Sequence, residues 1–205
     1  MKDRAAFLLG TAFGVALCAI YDHLRRSRSH SDSWSSSHTL ANGTQCTVRI
    51  AKEADASHIF HLTYSLADVC NELHELVETK DGLRVALATS MFEALILEDA
   101  ERHVIGMAVF QESYRTWSGN SIYLQDLIIA EGHRGNGLGT LLLQVLSRLA
   151  LERGCDRLFW ETTVDNHKAR AFYSGPTIRA KHAEELLTYK LVGRERLSAL
   201  ATRVG

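Results

Sequence analysis

The chain has 205 residues, 46% of them hydrophobic, with 23 Lys and Arg against 24 Asp and Glu and a formal net charge of −1. That length and apolar content suffice for one substantial core, and the lack of a basic excess points away from nucleic acid as a partner. Cys18, Cys46, Cys70 and Cys155 are scattered with no C-x-x-C pair, so neither a zinc cage nor a redox dithiol is indicated, and a reducing compartment is the simpler reading.

Residues 1–24 form a hydrophobic N-terminal segment. Within it, residues 5–21, AAFLLGTAFGVALCAIY, carry no charge over 17 positions, at the lower edge of the roughly 17 to 25 that span a bilayer as a helix. Arg25, Arg26 and Arg28 follow, while Lys2 and Arg4 are partly offset by Asp3, so the positive-inside bias holds the C-terminal side in the cytosol. The expectation is a membrane anchor with the rest of the chain facing the cytosol. The alternatives weighed against it are a secretory signal, a mitochondrial presequence, or a hydrophobic helix that does not span and leaves a cytoplasmic protein. No small-x-small cleavage site leads into a plain mature start, and Asp3 and Asp22 are unusual in a transit peptide. Gly10 and Gly14 make a G-x-x-x-G, the pattern on which membrane helices pair, and suggest a homodimer. Residues 25–45 read as a flexible linker: the Ser- and His-rich run SRSHSDSWSSSHTLANG has too little apolar surface to offset the entropy of ordering. His30 and His38 in it read as solvated.

Residues 46–193 read as an α/β domain, and 194–205 as a C-terminal tail. Residues 46–51 alternate like a strand, and Asp55 is placed to cap a helix carrying Ile59, Phe60, Leu62 and Leu66 on a helical period. His58 and His61 share a face of that helix but lack a third ligand, so no metal site is read there. A second helix is expected over 68–77. Residues 92–97 and 104–111 read as strands of a hairpin joined by the charged turn 98–103. Residues 121–130 form a central strand whose end, Leu127, Ile128 and Ile129, suits burial between helices.

The next stretch is the richest. Arg134, Gly135, Asn136, Gly137, Leu138, Gly139 and Thr140 lead from that strand straight into an amphipathic helix. Alternating glycines let the backbone turn with its N–H groups unobstructed, Arg134 adds a fixed positive charge, and a diphosphate would sit on the positive end of the helix. A P-loop needs Lys then Ser or Thr after its last Gly, and a dinucleotide fingerprint needs Gly where Thr140 stands; neither pattern fits. The helix runs to Arg153 on an apolar stripe of Leu141, Leu142, Val145, Leu146, Leu149 and Ala150, with Gly154 beyond its end. Cys155 reads as core. Residues 157–163 read as a strand, 166–174 as a short helix ended by Pro176, and 186–191 as the last strand.

The R-G-x-G-x-G loop after a strand resembles the coenzyme A diphosphate loop of the GNAT superfamily of N-acetyltransferases. Gly106, Tyr114, Trp117, Gly119, Tyr123, Leu124 and Asp126 before it, with Asn166, Phe172 and Tyr173 after it, resemble the diamine acetyltransferase (spermidine/spermine and thialysine) branch over residues 47–191. The resemblance implies a mixed, mostly antiparallel sheet with flanking helices and splayed central strands. It implies acetyl-CoA as co-substrate, held by Leu127, Ile128 and Ile129 on the pantetheine arm, by residues Arg134 to Thr140 on the phosphates, and by Asn166 and Tyr173. The helix at 68–77 would border the acceptor.

Acetyl transfer from a thioester to an amine requires a neutral amine, a polarised carbonyl and a proton for the departing thiolate. By the resemblance, Tyr173 is the general acid, and a phenol can donate there while uncharged at neutral pH. Three positions depart from the family. Gln125 stands where the family has Glu in Leu-Glu-Asp, and a carboxamide cannot take the ammonium proton. Asp126 is therefore the first candidate base, ahead of Glu112 and Glu161, although strand alternation points it opposite to Gln125 unless a bulge intervenes. Arg115 replaces an acidic residue of the polyamine-acetylating relatives, so a polycation would be repelled there. The segment Ser174, Gly175, Pro176 is shorter than the family's. Trp117, Gln125 and Asp126 are the candidate amine-binding residues. The expected function is direct acetyl transfer from acetyl-CoA to a primary amine, which could be a small amine, a polyamine-like amine or an amino-acid side chain. An acyl-CoA-binding pseudoenzyme or scaffold and a protein N-acetyltransferase are the alternatives.

Overall fold

The computed structural model describes residues 34–183 and 188–201. The chain divides into two compact units, Met1–Thr163 and Val164–Gly205.

The first unit is built on a six-stranded mixed sheet in the order β1 to β6: β1 (Ser35–Thr39), β2 (Gln45–Ile50), β3 (Glu93–Asp99), β4 (Val104–Arg115), β5 (Gly119–Ile129) and β6 (Leu158–Phe159). Every neighbouring pair is antiparallel except β5 and β6. Helix α1 (Ala56–Val69) packs on one face beside α2 (Lys80–Ala88), and α3 (Leu138–Glu152) covers the other. On the α1 face, Ile59 and Leu62 bury against Ala94, Ile96, Met107, Val109 and Ile128. The apolar stripe of α3 is buried as its 3.6-residue period requires, with Leu142 and Leu146 wholly enclosed.

Ionic clamps fix the two faces. Arg49 on β2 donates in parallel to both carboxylate oxygens of Asp55, at 2.7 and 2.8 Å, and through Nε to Glu98 at 2.7 Å, tying the start of α1 to two strands. Asp55 occupies the N-cap position of α1, but its side chain does not cap that helix as expected. Arg49 and the Lys52 N–H have engaged it first. On the other face Arg153, at the end of α3, grips Glu93 of β3 at 2.6 and 2.7 Å and Glu112 of β4 at 3.1 Å.

Several expectations require correction. Residues 35–39 are not a flexible tether: they form β1, in register from Ser35 opposite Arg49 to Thr39 opposite Gln45. Ladder hydrogen bonds from β2 order a strand that has little apolar surface of its own. Residues 68–77 are not one α-helix: Asp68 and Val69 close α1, and Leu73–Glu75 make a single 3-10 turn. Asn71 enters the left-handed region at φ 57°, which stops α1, and Thr79 caps α2 by accepting from the Gly82 N–H at 3.0 Å. The run 157–163 pairs only at Leu158 and Phe159, against Ile122 and Tyr123 of β5. Residues 188–191 are not in a strand, and Leu186 and Leu187 lie outside the described residues.

The membrane-anchored placement is also corrected: among the described residues no helix is long and apolar enough to cross a membrane. The segment 5–21 that carried it, with Gly10 and Gly14, lies outside the described residues, as does His30.

The second unit contains α4 (His167–Ser174) and α5 (Arg194–Ala201). Asn166 caps α4, its side-chain oxygen accepting from the Ala169 N–H at 3.0 Å.

Candidate active site

The register between β4 and β5 decides which way the carboxylates face. Val109 stands opposite Asp126 and Phe110 opposite Leu124, so Gln125 is an extra residue on β5 and a β-bulge sits there. Adjacent residues of β4 point to opposite faces, and Val109 belongs to the α1 face, so Asp126 is carried to that face. Tyr123, opposite Gln111, lies on it as well. The bulge thus removes the steric objection to Asp126 and leaves Gln125 exposed at the kink. Burial pushes the Asp126 carboxyl above the usual carboxylate range. Burial also raises the Tyr123 phenol, with further increments from the nearby Glu161 and Asp126 charges.

Beyond Tyr123 the sheet opens. β6 pairs with β5 only at Ile122 and Tyr123, and among the described residues no strand follows β5 along residues 124–129 on that side. The open edge runs past Leu127, Ile128 and Ile129 to Arg134, whose Nε donates to the Ile129 carbonyl at 2.8 Å and so holds the loop against the strand end. Gly106 lets β4 lie close beneath this segment: a Cβ there would stand 2.7 Å from the Ile129 side chain and 2.9 Å from the Ile128 carbonyl oxygen.

The loop then turns through two left-handed residues, Gly135 at φ 82° and Gly137 at φ 80°. A Cβ at either would meet no atom within 4 Å, so glycine is required there for backbone conformation and the space in front is open. Asn136 bonds to the His133 carbonyl at 3.2 Å and stays outside the turn. Gly137 is the N-cap of α3 and no side chain caps it, leaving the first-turn amides of Leu138, Gly139 and Thr140 for a ligand. Free amides at a helix N-terminus favour an anion.

In the second unit Tyr173 lies on α4 with its ring 5.2 Å from that of Phe172, and burial raises its phenol. Asn166 is spent at least in part on capping. Trp117 sits fully exposed in the turn between β4 and β5. From Gly119 to Gln125 the strand rises roughly 20 Å, so within this chain Trp117 is not brought to Gln125 and Asp126. Sequence reasoning missed Tyr123 as a member of the acidic cluster and Phe159 as a support for Arg115, whose guanidinium lies 4.0 Å over its ring. The first follows from the register of β4 with β5, and the second is seen only in the side-chain contact itself. His58 and His61 do not converge: the first faces Asp55 at 3.9 Å and the second faces Lys80 at 3.5 Å.

An open strand edge leads into a glycine loop at an uncapped helix, and comparison with known proteins gives the class. Residues 61–175 match the Acetyltransferase (GNAT) family. The chain belongs to that family and is an N-acetyltransferase that acts on an amine. It is similar to the thialysine N-epsilon-acetyltransferase of Bos taurus, 27% identical over 135 residues that cover 62% of this chain and 79% of the relative. It is 25% identical to the human spermidine/spermine N(1)-acetyltransferase-like protein 1 over 62% of this chain and 19% of that protein. Among solved structures, an aminoglycoside acetyltransferase from an uncultured soil metagenomic sample, in complex with sisomicin, superposes with a TM-score of 0.62 at 15% identity over 73% of this chain and 97% of its own. The aminoglycoside N-acetyltransferase AAC(6')-Iy in complex with CoA gives a TM-score of 0.59 at 15% identity over 74% of this chain and 98% of its own.

Proposed function

We propose that the chain moves the acetyl group of acetyl-CoA directly to a primary amine in a ternary complex, with Asp126 as the base. The observation that carries this reading is the bulge at Gln125, which brings the Asp126 carboxyl to the face shared with Tyr123, beside the opened edge of β5. The diphosphate would rest on the amides of residues 135–140 with Arg134 in support, and the pantetheine arm would add to the free edge of residues 124–129 as a strand would.

In the reaction the acceptor ammonium gives its proton, directly or through water, to Asp126, whose raised affinity for protons suits the role. The freed nitrogen lone pair attacks the thioester carbonyl, the tetrahedral oxyanion collapses with breakage of the carbon–sulfur bond, and the nitrogen gives up its second proton, through water, as the neutral amide forms; that proton replaces the one Tyr173 donates. Tyr173, taken from the family resemblance, protonates the departing thiolate; its raised pKa keeps the phenol loaded at neutral pH. Names such as thialysine N-epsilon-acetyltransferase among the relatives support an amine at the end of an aliphatic chain as the acceptor.

Amine-dependent thiol release from acetyl-CoA by the full chain tests the proposal. Asp126→Asn should lose roughly 10²- to 10⁴-fold in kcat, the range of acid–base assistance, with coenzyme affinity retained by calorimetry. An Asp126→Asn protein with undiminished kcat would contradict it.

A further inference from the structure

The α1 face of β5 carries two kinds of charge. At one end is the carboxylate of Asp126, placed there by the register with β4, and the charges of both Asp126 and Glu161 bear on the Tyr123 phenol. At the other is Arg115, the last residue of β4, paired with Gly119. Alternation along β4 puts Arg115 on the same face as Gln111, the residue opposite Tyr123. Arg115 is exposed, and its guanidinium lies 4.0 Å over the ring of Phe159, which is itself the β6 partner of Tyr123. A guanidinium that contacts an aromatic ring through its π cloud can still donate from its N–H groups to an anion. Among the described residues Arg115 has neither an ion pair nor a side-chain hydrogen bond.

A cation resting on an aromatic ring, with unspent donors and a carboxylate further along the same face, is arranged to receive an anion that belongs to the amine substrate. Three residues of β5, roughly 10 Å at the usual rise, separate the level of Tyr123 from Asp126. We infer that Arg115, docked on Phe159, is a specificity-determining residue that binds an anionic group of the acceptor, so that the preferred substrates are amines carrying a carboxylate or phosphate several bonds from the nitrogen, not polycations. The inference rests on the reading that Asp126 marks the acceptor face.

The test is steady-state kinetics of the full chain on four matched acceptors: an aliphatic ω-amino carboxylate, its carboxamide, an ω-amino phosphate and an unmodified diamine. The expected order puts the anionic acceptors first, with kcat/KM exceeding that of the carboxamide on the order of 10- to 100-fold, the strength of a charge-assisted bond. The carboxylate and the phosphate distinguish the two anions. In Arg115→Gln that ratio should collapse toward one, chiefly through KM, and in Arg115→Glu the diamine should overtake the carboxylate. Phe159→Leu, which keeps the charge but removes its support, should give an intermediate ratio. An active enzyme that handles carboxylate and carboxamide alike, or whose ratio is the same in Arg115→Gln, overturns the inference. Loss of activity in Asp126→Asn in the same experiment shows independently whether the acceptor face is correctly placed.

Discussion

Asp126 carries two opposed consequences of one environment. Burial raises its carboxyl because the folded protein disfavours the ionised form. As a base it must be ionised, so kcat/KM should fall as pH drops through that raised value, and the acidic limb should lie above the roughly 3.9 of an unperturbed aspartate. A pH–rate profile measures it, and Asp126→Asn should abolish the limb. The same sign makes the ionised group a stability cost above its unfolded pKa, so Asp126→Asn should melt no lower than the natural protein at neutral pH by calorimetry. Gln125→Glu should change the rate by less than about tenfold, the lower edge of acid–base assistance being roughly 10²-fold, since the bulge leaves position 125 exposed and the proposed base is Asp126. Gly137→Val forces a β-branched residue into φ 80°. It should cost about 1–3 kcal/mol of stability, and its branched side chain would stand where the phosphates approach, so acetyl-CoA binding should be lost by calorimetry.

At the scale of elements, legibility followed how local each signal is. The loop from Arg134 to Thr140 was readable because glycine conformation and a helix start are written in adjacent residues, and α3 because its apolar stripe repeats over four turns. The bulge was not readable: Gln125 is flanked by neither Gly nor Pro, and the extra residue exists only relative to β4. β1 was missed for the same reason, as its order comes from the ladder with β2. The attachment of α1 to the sheet yields a stability prediction. Burial alone would raise the Asp55 carboxyl, but the hydrogen bonds from Arg49 and the Lys52 N–H, with the Arg49 and His58 charges, carry it below its ordinary value. A lowered folded pKa contributes stability that is present above the unfolded pKa and lost as pH falls through the folded one, so this clamp weakens only in strong acid. Asp55→Ala leaves the Arg49 charge enclosed without its bidentate partner and should destabilise by about 3–5 kcal/mol in denaturant unfolding.

For the whole molecule, the family match covers residues 61–175, and the geometry adds what the motif could not: a bulge that turns Asp126 to the face of Tyr123, and a cation resting on Phe159, which the proposals take as base and anion site. Tyr173 enters from the resemblance, and its role has its own signature. Tyr173→Phe should lower kcat without weakening coenzyme binding, because the phenol acts on the leaving thiolate. The most direct test of the central claim is amine-dependent thiol release from acetyl-CoA, measured side by side for the natural chain and Asp126→Asn at neutral pH. The account predicts release by the natural protein that depends on the amine, and a loss of roughly 10²-fold or more in the variant with coenzyme affinity intact. Equal release by the two proteins, or no amine-dependent release from the natural one across the acceptor panel, would contradict it.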